Sequence, residues 1–220
     1  MGALNQGGGM PPQDKDAPKP STARTYFDGM YARGDDPWHL RERWYERRRR
    51  ALIAAMLPRE RYRCAFEPGC ANGELSAVLA QRCDALLAVD LHESAVKAAQ
   101  RRLADISNVR VEVCTVPRQW PAATGPFDLI VISEFAYYLE PDDVPILAAR
   151  INASLSEDGC LLACDWRHLF AGRQVSAESV HACFTAHCGV SRVAHHAEAD
   201  VLIDVWTRDG RPVAGRGEQT

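Results

Sequence analysis

The sequence lacks the features of membrane, secreted and general nucleic-acid-binding proteins. It has no apolar run near the roughly 18 residues that a membrane-spanning helix needs. The N-terminus has no charged region followed by an apolar segment, as a secretory signal would have. The formal net charge is -3, whereas a general nucleic-acid binder is usually clearly basic. We therefore expect a cytoplasmic protein that binds neither membrane nor nucleic acid.

The eight cysteines include no C-x-x-C pair, and several lie inside apolar runs such as 161–164. Free cysteine behaves as a small buried hydrophobe in a reducing compartment, which also favours the cytoplasm. The spacing of His181, Cys183, His187 and Cys188 matches no standard zinc motif. We expect ordinary helix packing there and predict no metal.

The chain has 220 residues, of which 46% are hydrophobic and 25% charged, and this is typical of one globular domain. Residues 1–22 contain few large apolar side chains, so they cannot bury enough surface to offset their ordering entropy. The following segment is predicted to be helical, with a break at Asp35–Trp38. The predicted organisation is a disordered tail at 1–22, a helical lid at 23–57, a cofactor-binding core at 58–208 and a flexible tail at 209–220.

Beyond Pro58, short apolar runs alternate with helical patterns. Strands are predicted at 64–66, 86–90, 109–114, 127–132, 160–164, 190–195 and 200–207. Helices are predicted at 40–57, 74–83, 92–104 and 141–155, with Gly159 as a stop signal, and between 174 and 190. This alternation predicts a single α/β domain with a Rossmann-like, doubly wound, mostly parallel seven-stranded sheet and helices on both faces.

A loop with two glycines, Glu67–Gly73, follows the first predicted strand and precedes a helix. Ligands of parallel α/β sheets bind at such strand ends. Gly69 and Gly73 permit backbone conformations that other residues resist and let a ligand approach closely. Asp90 ends the next predicted strand, where a carboxylate can accept hydrogen bonds from two ribose hydroxyls. The loop therefore indicates a nucleoside-containing cofactor.

The same layout occurs in dinucleotide enzymes, but the glycine spacing differs here. Counted from Gly69, the pattern G-x-G-x-x-G requires glycines where Ala71 and Glu74 stand. An acidic residue two positions before the first glycine, here Glu67, is typical of S-adenosylmethionine enzymes and would repel a diphosphate. S-adenosylmethionine is thus the predicted cofactor. The alternative is that Glu67 caps a turn and the loop binds nothing.

Three segments resemble the nodulation protein S family of class I S-adenosylmethionine methyltransferases. They are Asp35–Trp38 with Trp44–Glu46, the Glu67–Gly73 loop with its Gly-Cys-Ala before the final glycine, and Phe127–Leu139, and the resemblance covers roughly residues 26–207. That family N-methylates the free amine at the non-reducing end of deacetylated chitooligosaccharides. The resemblance therefore implies N-methylation of an amino sugar or oligosaccharide amine, as in nodulation factor biosynthesis.

The chain departs from the methyltransferase pattern after the third core strand, where many relatives have an acidic residue that contacts the adenine. Here Thr115 and Val116 stand at this place. We expect the Thr115 hydroxyl or a backbone amide to serve instead. The predicted cofactor-binding residues are Glu67, Gly69, Cys70, Ala71, Gly73, Asp90, Leu91, Thr115, Val116 and Ser133.

The acceptor is expected beyond the fourth core strand. Methyl transfer to an amine depends on orientation and on a group that takes the proton. Glu134 is the first candidate for that group, followed by Tyr138 and His168. The predicted substrate-binding residues are Trp38, Tyr45, Arg49, Tyr137, Asp165 and Arg167.

Each of these roles has a structural alternative. Glu134 caps the following helix, the tyrosine pair packs in the core, and His168 is solvated in its loop. The arginine run 47–50 is expected on a solvated helix face, with a substrate-facing arginine as the alternative. Three other functions also stay open: O- or N-methylation of a different small molecule, a non-catalytic cofactor-binding module, and a nicotinamide-dependent oxidoreductase.

Overall fold

The computed structural model describes residues 22–121 and 124–216. The helices are α1 Thr22–Tyr31, α2 Trp44–Met56, α3 Glu74–Ala80, α4 Glu93–Arg102, α5 Asp143–Ser154 and α6 Ala177–His187. The strands are β1 Tyr62–Pro68, β2 Cys83–Asp90, β3 Val109–Val113, β4 Phe127–Ser133, β5 Leu155–Trp166, β6 Ser191–Ala197 and β7 Val201–Thr207. Short 3₁₀ turns lie at Ala136–Tyr138 and Val213–Arg216. The tail predicted at 1–22 lies outside the described residues except for Thr22.

The seven strands form one sheet in the order β3-β2-β1-β4-β5-β7-β6. Strands β1 to β5 are parallel, and β7 runs antiparallel to both β5 and β6. The short 198–200 connection forces β6 and β7 into an antiparallel pair, since a parallel pair needs a long crossover. The predicted mostly parallel seven-stranded sheet is confirmed. Its strand order reverses between β1 and β4, which is where such sheets form ligand clefts.

Both faces of the sheet are covered. Alternate residues of the same strand point to opposite faces, so Ile130 packs in one core cluster and Leu129 in the other. Helices α5 and α6 cover the first face, and α2 and α3 cover the second. Burial on both faces explains why the strands are almost continuous apolar runs. Among the described residues, no helix is long and apolar enough to cross a membrane.

Several predicted boundaries were wrong. The helix predicted to reach Cys83 ends at Ala80, because Cys83 is fully buried and pairs with Tyr62 at the start of the β1–β2 ladder. Gly159 does not stop a helix: it lies within β5, which begins at Leu155 directly after α5.

The helix predicted from residue 40 begins at Trp44 instead. The Asp36 carboxylate accepts hydrogen bonds from the backbone N–H groups of Leu40 and Arg41, at 2.8 and 3.2 Å. These bonds hold the preceding segment in a turn.

Candidate functional site

The loop between β1 and α3 curves tightly around the end of β2. The backbone N–H groups of Gly69 and Cys70 donate to the Val89 carbonyl at 2.7 and 3.0 Å. Positive φ angles occur at Gly69 (78°), Ala71 (48°) and Gly73 (81°). A Cβ atom on Gly69 would lie 2.9 Å from the Cβ of Phe135. The predicted need for glycine in this loop therefore has a steric cause.

Gly73 packs against α4, so a side chain there is costly. A Cβ atom would lie 3.1 Å from the Cα of Ala99, on backbone with a φ of 81°. We expect Gly73→Ala to lower the free energy of unfolding by about 2 kcal/mol, because left-handed strain adds to overpacking. Urea unfolding followed by circular dichroism measures the change.

The matched control is Gly29→Ala in α1, where an added Cβ meets no atom within 4 Å. Alanine is the better helix former, so this variant should be unchanged or gain up to about 1 kcal/mol. A Gly73→Ala protein as stable as the wild type would contradict the packing argument.

Asp90, at the end of β2, ties this loop to the next one. Its carboxylate accepts from the backbone N–H of Ala71 at 3.0 Å through Oδ2 and from that of His92 at 2.9 Å through Oδ1. Burial raises the pKa of Asp90, while these N–H donors oppose the rise. Each oxygen keeps a second acceptor site, and the residue lines the cavity. The predicted ribose role stays a prediction.

Two further polar side chains of the loop are buried with unpartnered atoms. Glu67 has no hydrogen-bond partner for Oε2, and burial raises its pKa to about 8. Asn72 is 1% exposed, and neither its Oδ1 nor its Nδ2 has a partner. Both residues line the cavity. Asn72 carries the one amide side chain of the loop and is not among the residues predicted from the sequence.

Glu134 follows β4 and faces the same cavity. Its φ is 60°, and its carboxylate accepts a hydrogen bond from the Tyr137 hydroxyl. Its other oxygen, Oε1, has no hydrogen-bond partner and lies 3.6 Å from Nη1 of Arg49. Burial raises the pKa of Glu134 to about 7 despite the nearby Arg49. The carboxylate therefore lines the cavity and does not cap the following 3₁₀ turn.

Arg49 connects α2 to the end of β4. It donates to Glu46 Oε2 at 2.6 Å and to Ser133 Oγ at 2.7 Å. Arg49 and Arg50 are 6% and 8% exposed and line the cavity. The prediction that the arginine run lies on a solvated helix face was therefore wrong for these two residues. Glu46, which is not among the residues predicted from the sequence, is also buried and lines the cavity. Two carboxylates, on Glu46 and Glu134, thus pair with the one guanidinium of Arg49 at this end of the cavity.

Aromatic side chains cover the cavity from the N-terminal side. Tyr31 of α1 stacks on His92, with ring centroids 4.5 Å apart, and meets the edge of Trp38 at 5.5 Å. Phe27 contacts Tyr138 at 4.8 Å. All except His92 line the cavity. This side of the cavity is therefore built by α1 and the segment after it, and Phe27 and Tyr31 are not among the residues predicted from the sequence.

The structure brings most predicted site residues to one cavity. The lining includes Trp38, Arg49, Glu67, Gly69, Cys70, Ala71, Asp90, Leu91, Val116, Ser133, Glu134, Tyr137 and Tyr138. It does not include Tyr45, Gly73, Thr115, Asp165, Arg167 or His168.

Local contacts explain the position of several residues outside the lining. His168 is exposed and lies 2.6 Å from Asp200, and Arg167 pairs with Glu178 at 2.9 Å. The Tyr45 ring contacts the edge of Trp166 at 5.0 Å. None of these three side chains, nor the partner named for each, lines the cavity.

The chain matches the family model described as nodulation protein S over residues 30–199. It is 33% identical over 186 residues to nodulation protein S of Bradyrhizobium diazoefficiens, which covers 80% of this chain and 88% of that protein. Among the described residues, no group of His, Cys, Asp and Glu is placed to hold a metal ion.

Two crystal structures are also similar. A protein from Pseudomonas syringae described as a candidate methyltransferase is 52% identical, with a TM-score of 0.67, over 76% of this chain and 100% of that one. N-methyltransferase NodS from Bradyrhizobium japonicum WM9, crystallised with S-adenosyl-L-homocysteine, is 24% identical, with a TM-score of 0.75, over 85% of this chain and 98% of that one.

The family match extends through the Glu67–Gly73 loop, Asp90 and Glu134, which contribute to the lining of the cavity. The sheet has the fold of the Bradyrhizobium japonicum structure. The resemblance drawn from the sequence is thereby confirmed: the chain belongs to the nodulation protein S family.

Proposed function

We propose that this protein is an S-adenosylmethionine-dependent methyltransferase that N-methylates the amine of an amino sugar or oligosaccharide, as in nodulation factor biosynthesis. The observation that carries the proposal is that the Glu67–Gly73 loop and Glu134 open into the same cavity. The relative crystallised with S-adenosyl-L-homocysteine, the demethylated cofactor, supports it, since it is named an N-methyltransferase.

The residues of the loop fit the cofactor. S-adenosylmethionine carries an ammonium, a carboxylate and ribose hydroxyls, so it can satisfy the unpartnered atoms of Glu67 and Asn72 and the remaining acceptor sites of Asp90. Gly69 keeps the loop free of a side chain beside Phe135. When bound, the cofactor supplies a methyl group on a positively charged sulfur. The buried carboxyl group of Glu67 disfavours the diphosphate of a nicotinamide cofactor.

The other end of the cavity suits an amine. An ammonium is attracted by the carboxylates of Glu46 and Glu134, but it must lose a proton before its nitrogen can act as a nucleophile. Glu134 has a pKa of about 7, close to neutral pH, so it can accept that proton and release it again. Tyr137 holds the carboxylate through its hydroxyl. We assign Glu134 as the base and Tyr138 as part of the acceptor wall.

The aromatic cover orders the reactants and excludes water. We propose that residues 23–57 act as this cover, since α1 supplies Phe27 and Tyr31 and the following turn supplies Trp38. Excluding water strengthens every charge interaction inside the cavity. We place the reaction in the cytoplasm, because none of the eight cysteines, all of which lie among the described residues, forms a disulfide, as in a reducing compartment.

Asn72 gives a test of the cofactor end. Its buried amide has no partner without a ligand. Asn72→Ala should therefore leave the stability of the free protein unchanged or raise it by about 1 kcal/mol, while weakening S-adenosylmethionine binding about tenfold through a lost hydrogen bond. Thermal unfolding and calorimetric titration measure the two effects. A less stable free protein with unchanged affinity would show that Asn72 supports the fold and not the ligand.

The proposed function is tested by binding and by transfer. The purified protein is titrated calorimetrically with S-adenosylmethionine and, separately, with NADH. Transfer of a labelled methyl group is then measured to glucosamine-terminated oligomers, with the N-acetylated oligomers as the matched control. We expect binding of S-adenosylmethionine and methylation of the free amine only.

Each other outcome of this experiment has a definite meaning. Binding of NADH alone would overturn the methyltransferase assignment. Equal methylation of the N-acetylated oligomers would point to a hydroxyl acceptor. Cofactor binding without transfer to any amino sugar would remove this substrate class and favour another small molecule or a non-catalytic module.

A further inference from the structure

A second group of buried titratable side chains lies outside the cavity. His181 of α6 sits between Asp165, near the end of β5, and Asp204 of β7. These side chains are almost fully buried, with residue exposures of 3% for His181, 0% for Asp165 and 1% for Asp204. Charged groups are rarely buried without a reason, and the proposed reaction does not yet use these three.

The hydrogen bonds determine the charge of His181. Its Nδ1 lies 2.8 Å from Oδ2 of Asp204, and its Nε2 lies 3.1 Å from Oδ2 of Asp165. A carboxylate only accepts hydrogen bonds, so both ring nitrogens must donate, and a neutral imidazole has a single N–H. Burial lowers the pKa of His181, but the hydrogen bonds to Asp165 and Asp204 outweigh it and raise the pKa to about 9. His181 is therefore an imidazolium at neutral pH.

The two carboxylates differ in their other partners. Oδ1 of Asp204 lies 2.7 Å from Nδ1 of His195 and 3.5 Å from Nη1 of Arg192. Oδ1 of Asp165 is buried without a hydrogen-bond partner. Within the described part of the chain, the ion pair with His181 is the one that balances Asp165. The imidazolium is thus the counter-charge of Asp165.

Asp165 is a neighbour of Glu134 in the sheet. Ser133 pairs with Cys164 in the β4–β5 ladder, and the backbone N–H of Glu134 donates to the Cys164 carbonyl at 2.9 Å. Glu134 directly follows β4, and Asp165 is the next residue of β5. After burial, which raises the pKa of Glu134, and Arg49, which lowers it, the charge of Asp165 raises it further. The other titratable groups that face Glu134 are Tyr45, Glu46, Tyr137, Tyr138 and Cys164.

We propose that the buried His181 imidazolium neutralises Asp165 and thereby favours the ionised form of Glu134. His181 is then a positioning residue: it acts on the acceptor amine only through the charge of Glu134. The inference rests on the role of Glu134 in the proposed function. Without the imidazolium, Asp165 would oppose ionisation of Glu134; without Asp165, the imidazolium would favour it.

The first experiment needs no cofactor or substrate. The wild-type protein is titrated with pH by NMR, observing the ring nitrogens of His181 and the side-chain carboxyl carbon of Glu134. We expect both nitrogens of His181 to be protonated at neutral pH, and Glu134 to titrate near neutrality. A neutral His181 would overturn the inference. Because no methyl transfer is measured, failure of the proposed function would not be confused with failure of this one.

Two variants then distinguish an effect of the His181 and Asp165 charges from a purely structural role of these residues. His181→Gln removes the positive charge and should raise the titration midpoint of Glu134, whereas Asp165→Asn removes the negative charge and should lower it, each by roughly one pH unit. The acidic limb of kcat against pH should move in the same opposed directions. His187→Gln, the same change at an exposed position of α6, is the matched control and should move neither.

A purely structural role predicts a different pattern. Both variants would then lose stability and activity together, and the midpoint of Glu134 would stay in place or move in one direction. That result would overturn the inference. If a variant does not fold, as judged by circular dichroism, the protonation state of His181 in the wild-type protein decides the matter.

Discussion

Replacing Asp90 with alanine is expected to weaken the binding of S-adenosylmethionine about 100-fold. This is about the loss expected when two hydrogen bonds from the ribose hydroxyls to a charged carboxylate are removed. The carboxylate lies at the end of β2 in the cavity, and each of its oxygens already holds a backbone N–H, one from Ala71 and one from His92. The variant is therefore expected to lose the proposed ribose acceptors and also to release the Glu67–Gly73 loop from the end of β2. Calorimetric titration of the purified variant measures the change in Kd.

The matched control is Asp84→Ala on the same strand, where the aspartate is exposed and pairs with Arg61 at 2.5 Å. Surface ion pairs contribute about 0–1 kcal/mol to stability. Asp84 lies near the start of β2, far from Asp90 at its other end, so the Kd of Asp84→Ala should stay within about twofold of the wild type. An Asp90→Ala protein with unchanged affinity would show that the ribose does not sit at the end of β2.

The cofactor end of the site was predictable because its signals are local in sequence. The glycines of the loop, Glu67 before them and Asp90 after the next apolar run are separated by short and regular distances. The positive φ angles of Gly69 and Gly73 favour glycine at both positions, and that preference is a property of the loop backbone itself. The parallel order of the first strands follows from their alternation with helices.

The acceptor end was predictable only in part, because it is assembled by contacts between distant segments. Arg49 and Ser133 are 84 residues apart, and only the docking of α2 against β4 brings them together. An arginine run on a helix normally indicates a solvated face, so nothing local showed that Arg49 and Glu46 would be buried. The aromatic cover by Tyr31 depends in the same way on where α1 packs.

The charge of Glu134 is expected to control the rate of methyl transfer. Glu134→Gln should lower kcat about 100-fold or more, the usual contribution of a positioned base, and leave the Kd of S-adenosylmethionine within about threefold. Glutamine has nearly the same shape and its carbonyl can still accept from the Tyr137 hydroxyl, so the change removes the charge and the proton acceptor with little rearrangement. Steady-state rates with a glucosamine-terminated oligomer and calorimetric titration measure the two quantities.

The pH dependence identifies the cause of that loss. A base works in its ionised form, and burial raises the pKa of Glu134 to about 7, so wild-type kcat should rise with pH through that value and level off above it. In Glu134→Gln this limb should vanish, and only the titration of the amine itself, which both proteins share, should remain. Glu140→Gln, the same change at an exposed position after the tyrosine pair, should keep both the rate and the limb. A Glu134→Gln enzyme that retained the limb at reduced kcat would mean that another group takes the proton and that Glu134 only holds the ammonium in place.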